Sequence, residues 1–371
     1  MEDYGSNSNH SPRSALPVFV ALVVALQLVA SVAGAANRAC DGSPIRLERL
    51  RAADAPVPTV PPSTTRPIPV EITLQITELS DIDELKSRFR FEGYGDFRWC
   101  DPRSAFDPEV EGADVRRHFG TAGGNPFWNV DLTVANGVGA PEVTKRLVEI
   151  HSDGRIRVSG YFNTVVAAPF DLRRFPFDRQ TLEIQIESFT FNHEMLELVT
   201  SNDRVSYDSN LFLPEWRIDG IDARVEQTLN VRDRAPFSRM VVTLDIARQW
   251  GFYVYKLWVP LFLIVALSWS TFWMYDESLA NRIRISATAF LTVVAYQFAI
   301  SGSLPKVAYL TLMDRLMVAS FVLIALSAVQ SMLVIRIRDT DVQRAAALDR
   351  MSQWLFPLLY VGVIAGIAIR Y

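Results

Sequence analysis

Four stretches of this chain, 257–275, 285–305, 316–335 and 351–369, run without a single charged side chain. A helix needs roughly 20 such residues to cross hydrocarbon, where no water satisfies a broken backbone, so the pattern predicts four membrane-spanning helices. The linker after the third stretch carries Arg336, Arg338, Arg344 and Arg350. Basic residues concentrate on the cytoplasmic side, so this linker is expected inside, with the N-terminal region and the C-terminus outside the cell membrane. Residues 16–32 form a further apolar run behind Arg13, ending in Ser31-Val32-Ala33-Gly34-Ala35-Ala36. This is the form of an export signal over 1–35. A retained anchor is the alternative, because Glu2 and Asp3 weaken the positive flank; either reading sends the polar region after residue 36 outward.

Residues 36–69 contain Pro56, Pro58, Pro61, Pro62, Pro67 and Pro69, which favour an extended linker; 45–53 can form a short helix. From Val70 onward apolar residues recur with period two. Ile72, Leu74 and Ile76 alternate with Thr73 and Gln75, and the same pattern returns at 182–186 and 240–246. The runs 147–150 and 156–162 flank Ser152-Asp153-Gly154-Arg155, whose Asp-Gly supplies the positive φ angles of a tight hairpin. Strands without amphipathic helices between them predict an immunoglobulin-like β-sandwich over 70–247. The remainder, 248–371, is the four-helix transmembrane domain.

With 371 residues, a net charge of −4 and interspersed signs, the chain presents no basic stripe, and a nucleic-acid partner is set aside. Motifs of the form G-x-S-x-G or H-E-x-x-H and a Gly-rich phosphate loop are missing, which argues against an enzyme and implies no cofactor. The four histidines, His10, His118, His151 and His193, lack metal-ligand spacing, so no metal site is expected. Cys40 and Cys100 are the two cysteines. An exported location permits a bridge between them without specifying one.

The second apolar run differs from the other three. Ser286, Thr288, Thr292, Gln297, Ser301 and Ser303 make it too polar for a helix surrounded by lipid. Helical spacing aligns Arg284, Thr288, Leu291, Ala295, Phe298 and Gly302 on one stripe. Small and hydroxyl residues also allow close helix packing, which is the structural alternative. An intramembrane arginine favours a stripe that meets water or a partner.

The sequence Phe175-Pro176-Phe177-Asp178-Arg179-Gln180 matches the F-P-F-D-x-Q signature of the pentameric ligand-gated ion channels. Trp128 with Asp131, Arg248, Pro260 and Leu304-Pro305 follow that family's order and spacing, so the chain resembles the Cys-loop receptor superfamily. It looks most like the bacterial type, since Ala168 and Leu182 stand where the loop's cysteines would be. The resemblance implies a homopentamer around a central pore, lined by the second helix and passing inorganic ions. It implies that an agonist bound between neighbouring β domains opens the pore. The alternative is a non-conducting membrane ligand sensor.

In the implied pore, Leu291 and Phe298 form apolar rings that dewet on closure and Thr288 offers hydroxyls to ions. Arg284 on the stripe implies anion passage or poor selectivity, while Glu277 beside Asp276 would keep a cation preference if Arg284 snorkels to the inner interface. The implied ligand residues are Phe189, Glu187 and Phe237, with Tyr94 from the neighbouring face. Aromatic faces suit an amine by cation–π attraction, and protons are the other trigger weighed. Coupling is implied for Phe175, Pro176, Phe177, Asp178 and Arg248, and for Leu304-Pro305-Lys306. Membrane lipid surrounds the whole assembly.

Overall fold

The computed structural model describes residues 38–43, 45, 60–62, 67–119, 127–230, 234–274, 278–301 and 307–369. The export signal expected over 1–35 lies outside them, as does almost all of the short helix expected over 45–53.

The period-two segments become strands because alternation places one side of each against a shared interior. In β1 (Ile68–Asp83), Ile68, Val70, Ile72, Leu74 and Ile76 are all buried. It pairs antiparallel with β2 (Arg88–Cys100), which pairs with β6 (Arg155–Ala167). On β6 lies β5 (Glu142–His151), and β3 (Val115–Phe119) forms the edge beyond it. β8 (Leu196–Val199) and β9 (Val205–Tyr207) run parallel to β1 and complete this sheet. The second sheet has the order β10 (Trp216–Asn230), β11 (Ala235–Arg248), β7 (Arg179–Ser188), β4 (Leu132–Val134). Residues from both sheets, among them Ile72, Phe89, Val166, Leu182, Ile184, Val242 and Leu244, share one core. The β5–β6 hairpin turns at Gly154 with φ +88, and a Cβ there would lie 2.7 Å from the Asp101 carbonyl. Only glycine fits that approach.

Among the described residues, four long helices come after the sandwich. α1 (Gly251–Trp273), α2 (Leu279–Ile300) and α3 (Leu312–Arg338) are each long and apolar enough to cross a membrane. α4 (Val342–Ile369) packs on α3. α2 begins earlier than the charge-free run, because Ser278 caps it by accepting from the Asn281 amide; Arg282 and Arg284 are thereby helical. α3 starts with a reciprocal cap in which the Thr311 and Asp314 side chains each bond the other's backbone. In α1, a π-helical turn at Val254–Trp258 precedes Pro260, which has no N–H for the Lys256 carbonyl. The Tyr296 hydroxyl of α2 donates to the carbonyls of Lys256 at 3.1 Å and Leu257 at 2.9 Å, so a neighbour satisfies what proline left open.

Cys40 and Cys100 form a disulfide that ties the segment before β1 to the end of β2. Their separation of 60 residues sets the chain entropy that the bridge removes, about 4 kcal/mol in the loop-closure treatment. Cys100→Ser is therefore expected to lower the thermal midpoint of the β domain. The unreduced protein is expected to resist a thiol reagent until a reductant is added; ready labelling without reductant would contradict the bridge.

Candidate functional site

The turn between β6 and β7 reaches down into the helices. Its Leu172 and Phe175 belong to the buried cluster of the helical region, beside Leu257, Leu261, Met313 and Leu316. Gln180 holds the loop's base, donating from Nε2 to the Asp171 carbonyl and to Asp178 Oδ2, each at 2.8 Å. The Leu172 amide donates to the Tyr309 hydroxyl at 2.9 Å, and the Leu312 amide donates to the Arg173 carbonyl at 3.0 Å. The segment leading into α3 is thus bound to the loop by its backbone.

Arg248, at the end of β11, is the centre of this junction. Its Nε donates to Asp178 Oδ1 at 2.8 Å, and its Nη2 donates to Asp178 Oδ2 at 3.1 Å and Glu84 Oε1 at 2.9 Å. The guanidinium lies over the rings of Trp216 (4.1 Å) and Phe175 (4.9 Å). Both Arg248 and Asp178 are buried. Burial disfavours the Arg248 charge, but hydrogen bonds and charge from Asp178 and Glu84 outweigh it and raise its pKa above the ordinary value. Phe177 packs its ring against Trp250 and Trp258, at 5.7 and 5.4 Å. The structure therefore brings together Phe175, Pro176, Phe177, Asp178 and Arg248, whereas Leu304, Pro305 and Lys306 lie outside the described residues. Glu84, Trp216 and Tyr309 were missed by sequence reasoning. They come from distant turns and strand ends with no shared motif, and only folding assembles them.

Along α2, Arg284, Thr288, Leu291, Ala295 and Phe298 are exposed in the single subunit, Leu291 at 69% and Phe298 at 76%. Ser286, Ala289 and Val293, on the opposite side, are buried among the other helices. Gly302, Asp276 and Glu277 lie outside the described residues. The Thr288 hydroxyl donates to the Arg284 carbonyl at 2.8 Å, which leaves its oxygen free to accept. The two arginines separate sharply. Arg282 is buried, donating to both carboxylate oxygens of Asp349 on α4 (3.1 and 2.9 Å) and to the Met274 carbonyl, while Gln330 of α3 donates to the same carboxylate at 3.1 Å. Arg284 remains exposed, donating to Asn281 Oδ1 at 3.0 Å.

The expected ligand residues are scattered within one chain. Tyr94, 54% exposed on β2, stacks edge-on against Tyr161 at 4.9 Å beside a cleft of about 500 Å³ that also meets Phe119 and Lys145. Phe189, 58% exposed, comes directly after β7 of the other sheet. Glu187 is buried and neutralised, accepting two hydrogen bonds from Arg239 at 3.0 and 2.8 Å. Phe237 was expected to offer its ring to a ligand, but it is 1% exposed: it stands at the end of β11 against which the segment after β7 is held, the His193 amide donating to the Pro236 carbonyl at 2.8 Å. Among the described residues, no group of three or more His, Cys, Asp or Glu is arranged to hold a metal.

Residues 56–250 match the neurotransmitter-gated ion-channel ligand binding domain, and 257–341 match the neurotransmitter-gated ion-channel transmembrane region. The chain belongs to the neurotransmitter-gated ion channels. It is similar to a proton-gated ion channel of Gloeobacter violaceus, 24% identical over 303 residues, which cover 81% of this chain and 82% of that one. It is 28% identical over 259 residues to the glycine receptor subunit beta of Rattus norvegicus and of Homo sapiens. That alignment covers 68% of this chain and 52% of theirs, so the chain spans about half the length of those relatives. Neurotransmitter-gated ion channels are membrane receptors that transport ions rather than enzymes.

In this neurotransmitter-gated ion channel, Arg248 stands where the two matched regions meet. Removing one partner from a buried pair strands the other charge, at about 3–5 kcal/mol. Asp178→Asn and Arg248→Gln are each expected to lower the thermal midpoint strongly. The double variant should lose less than the sum of the two; strict additivity in that cycle would mean the pair is uncoupled.

Proposed function

We propose that this chain forms a homopentamer in the cell membrane and that the stripe Arg284, Thr288, Leu291, Ala295 and Phe298 lines its central pore. The observation that carries this reading is one helix with a continuous exposed stripe, containing an arginine, on a membrane-spanning segment whose other side is packed. Lipid is a poor solvent for that stripe, and a single copy cannot enclose a channel, whereas copies around an axis can. In this reading α4 is the fourth span, the β domain and the C-terminus lie outside, and the α3–α4 linker lies inside.

Leu291 and Phe298 would close the pore by excluding water. Arg284 would set its field. Since Arg282 is neutralised by Asp349, a ring of Arg284 side chains is the positive charge that remains on the stripe, which favours anions. Tyr94 of one subunit and Phe189 of the next would form the agonist site; that both rings are exposed, on different sheets of the chain, supports this reading. With Glu187 already paired to Arg239, a small amine would be held by aromatic faces more than by an acid. The binding energy would act through Asp178–Arg248 and the loop's bonds to the segment before α3, shifting the population toward the open state.

Protons are a second trigger, supported by the likeness to the proton-gated channel of Gloeobacter violaceus. Two carboxylates are unsuited to sensing them near neutrality. Burial pushes the Asp96 carboxyl up, but hydrogen bonds from Arg157 and Ser159 hold it below the usual range, and the hydrogen bond from Arg117 does the same for Glu149.

Leu291→Ala in liposomes under a chloride gradient is expected to give current without agonist, reversing toward the chloride equilibrium potential. Adding Arg284→Ala should move that reversal toward cations. Silence from verified, inserted pentamers would favour the non-conducting ligand sensor instead.

A further inference from the structure

Apolar burial does not decide how α2 is turned about its own axis. Leu291 and Phe298 are exposed in the subunit, while the smaller Ala289 and Val293 are buried. Burial of apolar area alone would select the reverse. Two polar anchors hold the observed rotation. At the N-terminal end, Arg282 donates to both carboxylate oxygens of Asp349 on α4, at 3.1 and 2.9 Å, and from Nε to the Met274 carbonyl at 3.1 Å. The side chains of this pair are 2% and 4% exposed. About four turns further along, the Tyr296 hydroxyl donates to the carbonyls of Lys256 and Leu257 in α1.

Both anchors stand on one line of the helix. At about 100° per residue, Arg282, Ser286, Ala289, Val293 and Tyr296 fall within about 40° of a common direction, and Arg284, Thr288, Leu291, Ala295 and Phe298 lie on the other side. Ser286 is buried on the anchored line but, among the described residues, has no hydrogen-bond partner, so it adds no third anchor. Arg282 and Arg284 are about 200° apart, and holding the first against α4 leaves the second on the exposed stripe. A buried charge is costly to leave unpaired, so α2 cannot turn without carrying Asp349 along or stranding Arg282. Gln330 of α3 donates to the same carboxylate at 3.1 Å and holds it in place.

We infer that Asp349, although it stands on a different helix from the stripe, is a positioning residue that sets ion specificity. Acting through Arg282, with Tyr296 as its counterpart at the other end, it decides which arginine of α2 faces the pore. This rests on the reading of α2 as the pore-lining helix. Charge counting alone predicts the opposite sign. Neutralising Asp349 frees the positive charge of Arg282, which by charge would strengthen a preference for anions. By position the preference weakens, because α2 turns and Arg284 leaves the axis.

The test uses the full-length protein in liposomes. In the Leu291→Ala background under a chloride gradient, Asp349→Asn is expected to lower the anion-to-cation permeability ratio about tenfold or more. Arg284→Ala, which moves the reversal potential while Asp349 is present, should then move it little. Exchanging the charges with Arg282→Asp and Asp349→Arg should restore the original ratio. Tyr296→Phe, which removes one hydroxyl, should shift the ratio in the same direction as Asp349→Asn, and serves if that variant does not assemble. Rotation is read separately, without current, by labelling Thr288→Cys and Ser286→Cys with a charged thiol reagent, Cys40 and Cys100 being bridged. Residue 288 should react and residue 286 should not, and Asp349→Asn should narrow that contrast. A permeability ratio that rises or stays in Asp349→Asn, or a labelling contrast it leaves unchanged, would overturn the inference and leave the pore reading standing. Silence from inserted Leu291→Ala protein, or no reaction at residue 288, would bring down the pore reading and the inference with it.

Discussion

The buried guanidinium of Arg248 is the interaction on which the junction of the two regions depends. A charge taken out of water must be met by partners of good geometry, or it unfolds its surroundings. Here the partners come from every element that must meet: Asp178 from the loop after β6, Glu84 from the β1–β2 turn, and aromatic faces from β10 and the same loop. Satisfying one cation therefore fixes the position of the loop. The loop in turn carries Leu172 and Phe175 into the helical core and bonds the segment that leads to α3.

Inside the helices the same principle sorts two arginines that are one turn or less apart. Arg282 is met by Asp349 and a carbonyl, and Gln330 donates to the same Asp349 carboxylate, so three helices and a turn converge here and α4 is tied to the N-terminal end of α2. Arg284 has no such cage and stays on the exposed stripe. Pairing removes the field of the first and leaves that of the second.

Much of this was readable in one dimension. Membrane length and the absence of charge marked the helices, and the period-two pattern at 72–76, 156–162 and 240–246 marked strands, because burial against a flat interior acts residue by residue. The stripe of α2 was legible for the same reason, since helical spacing alone decides which side chains share a face. Boundaries were less so: the charge-free run began at 285, but capping by Ser278 carries the helix through two arginines that hydropathy excludes.

Periodic properties belong to the linear chain: which segments are strands, which are helices, and which positions point the same way. Pairwise and distant relations belong to the fold. Folding joined Cys40 to Cys100, buried Phe237, and gave Arg282 an acid 67 residues away. Charge compensation and covalent bridging depend on proximity in space, and the local chain carries no record of which far residue will arrive.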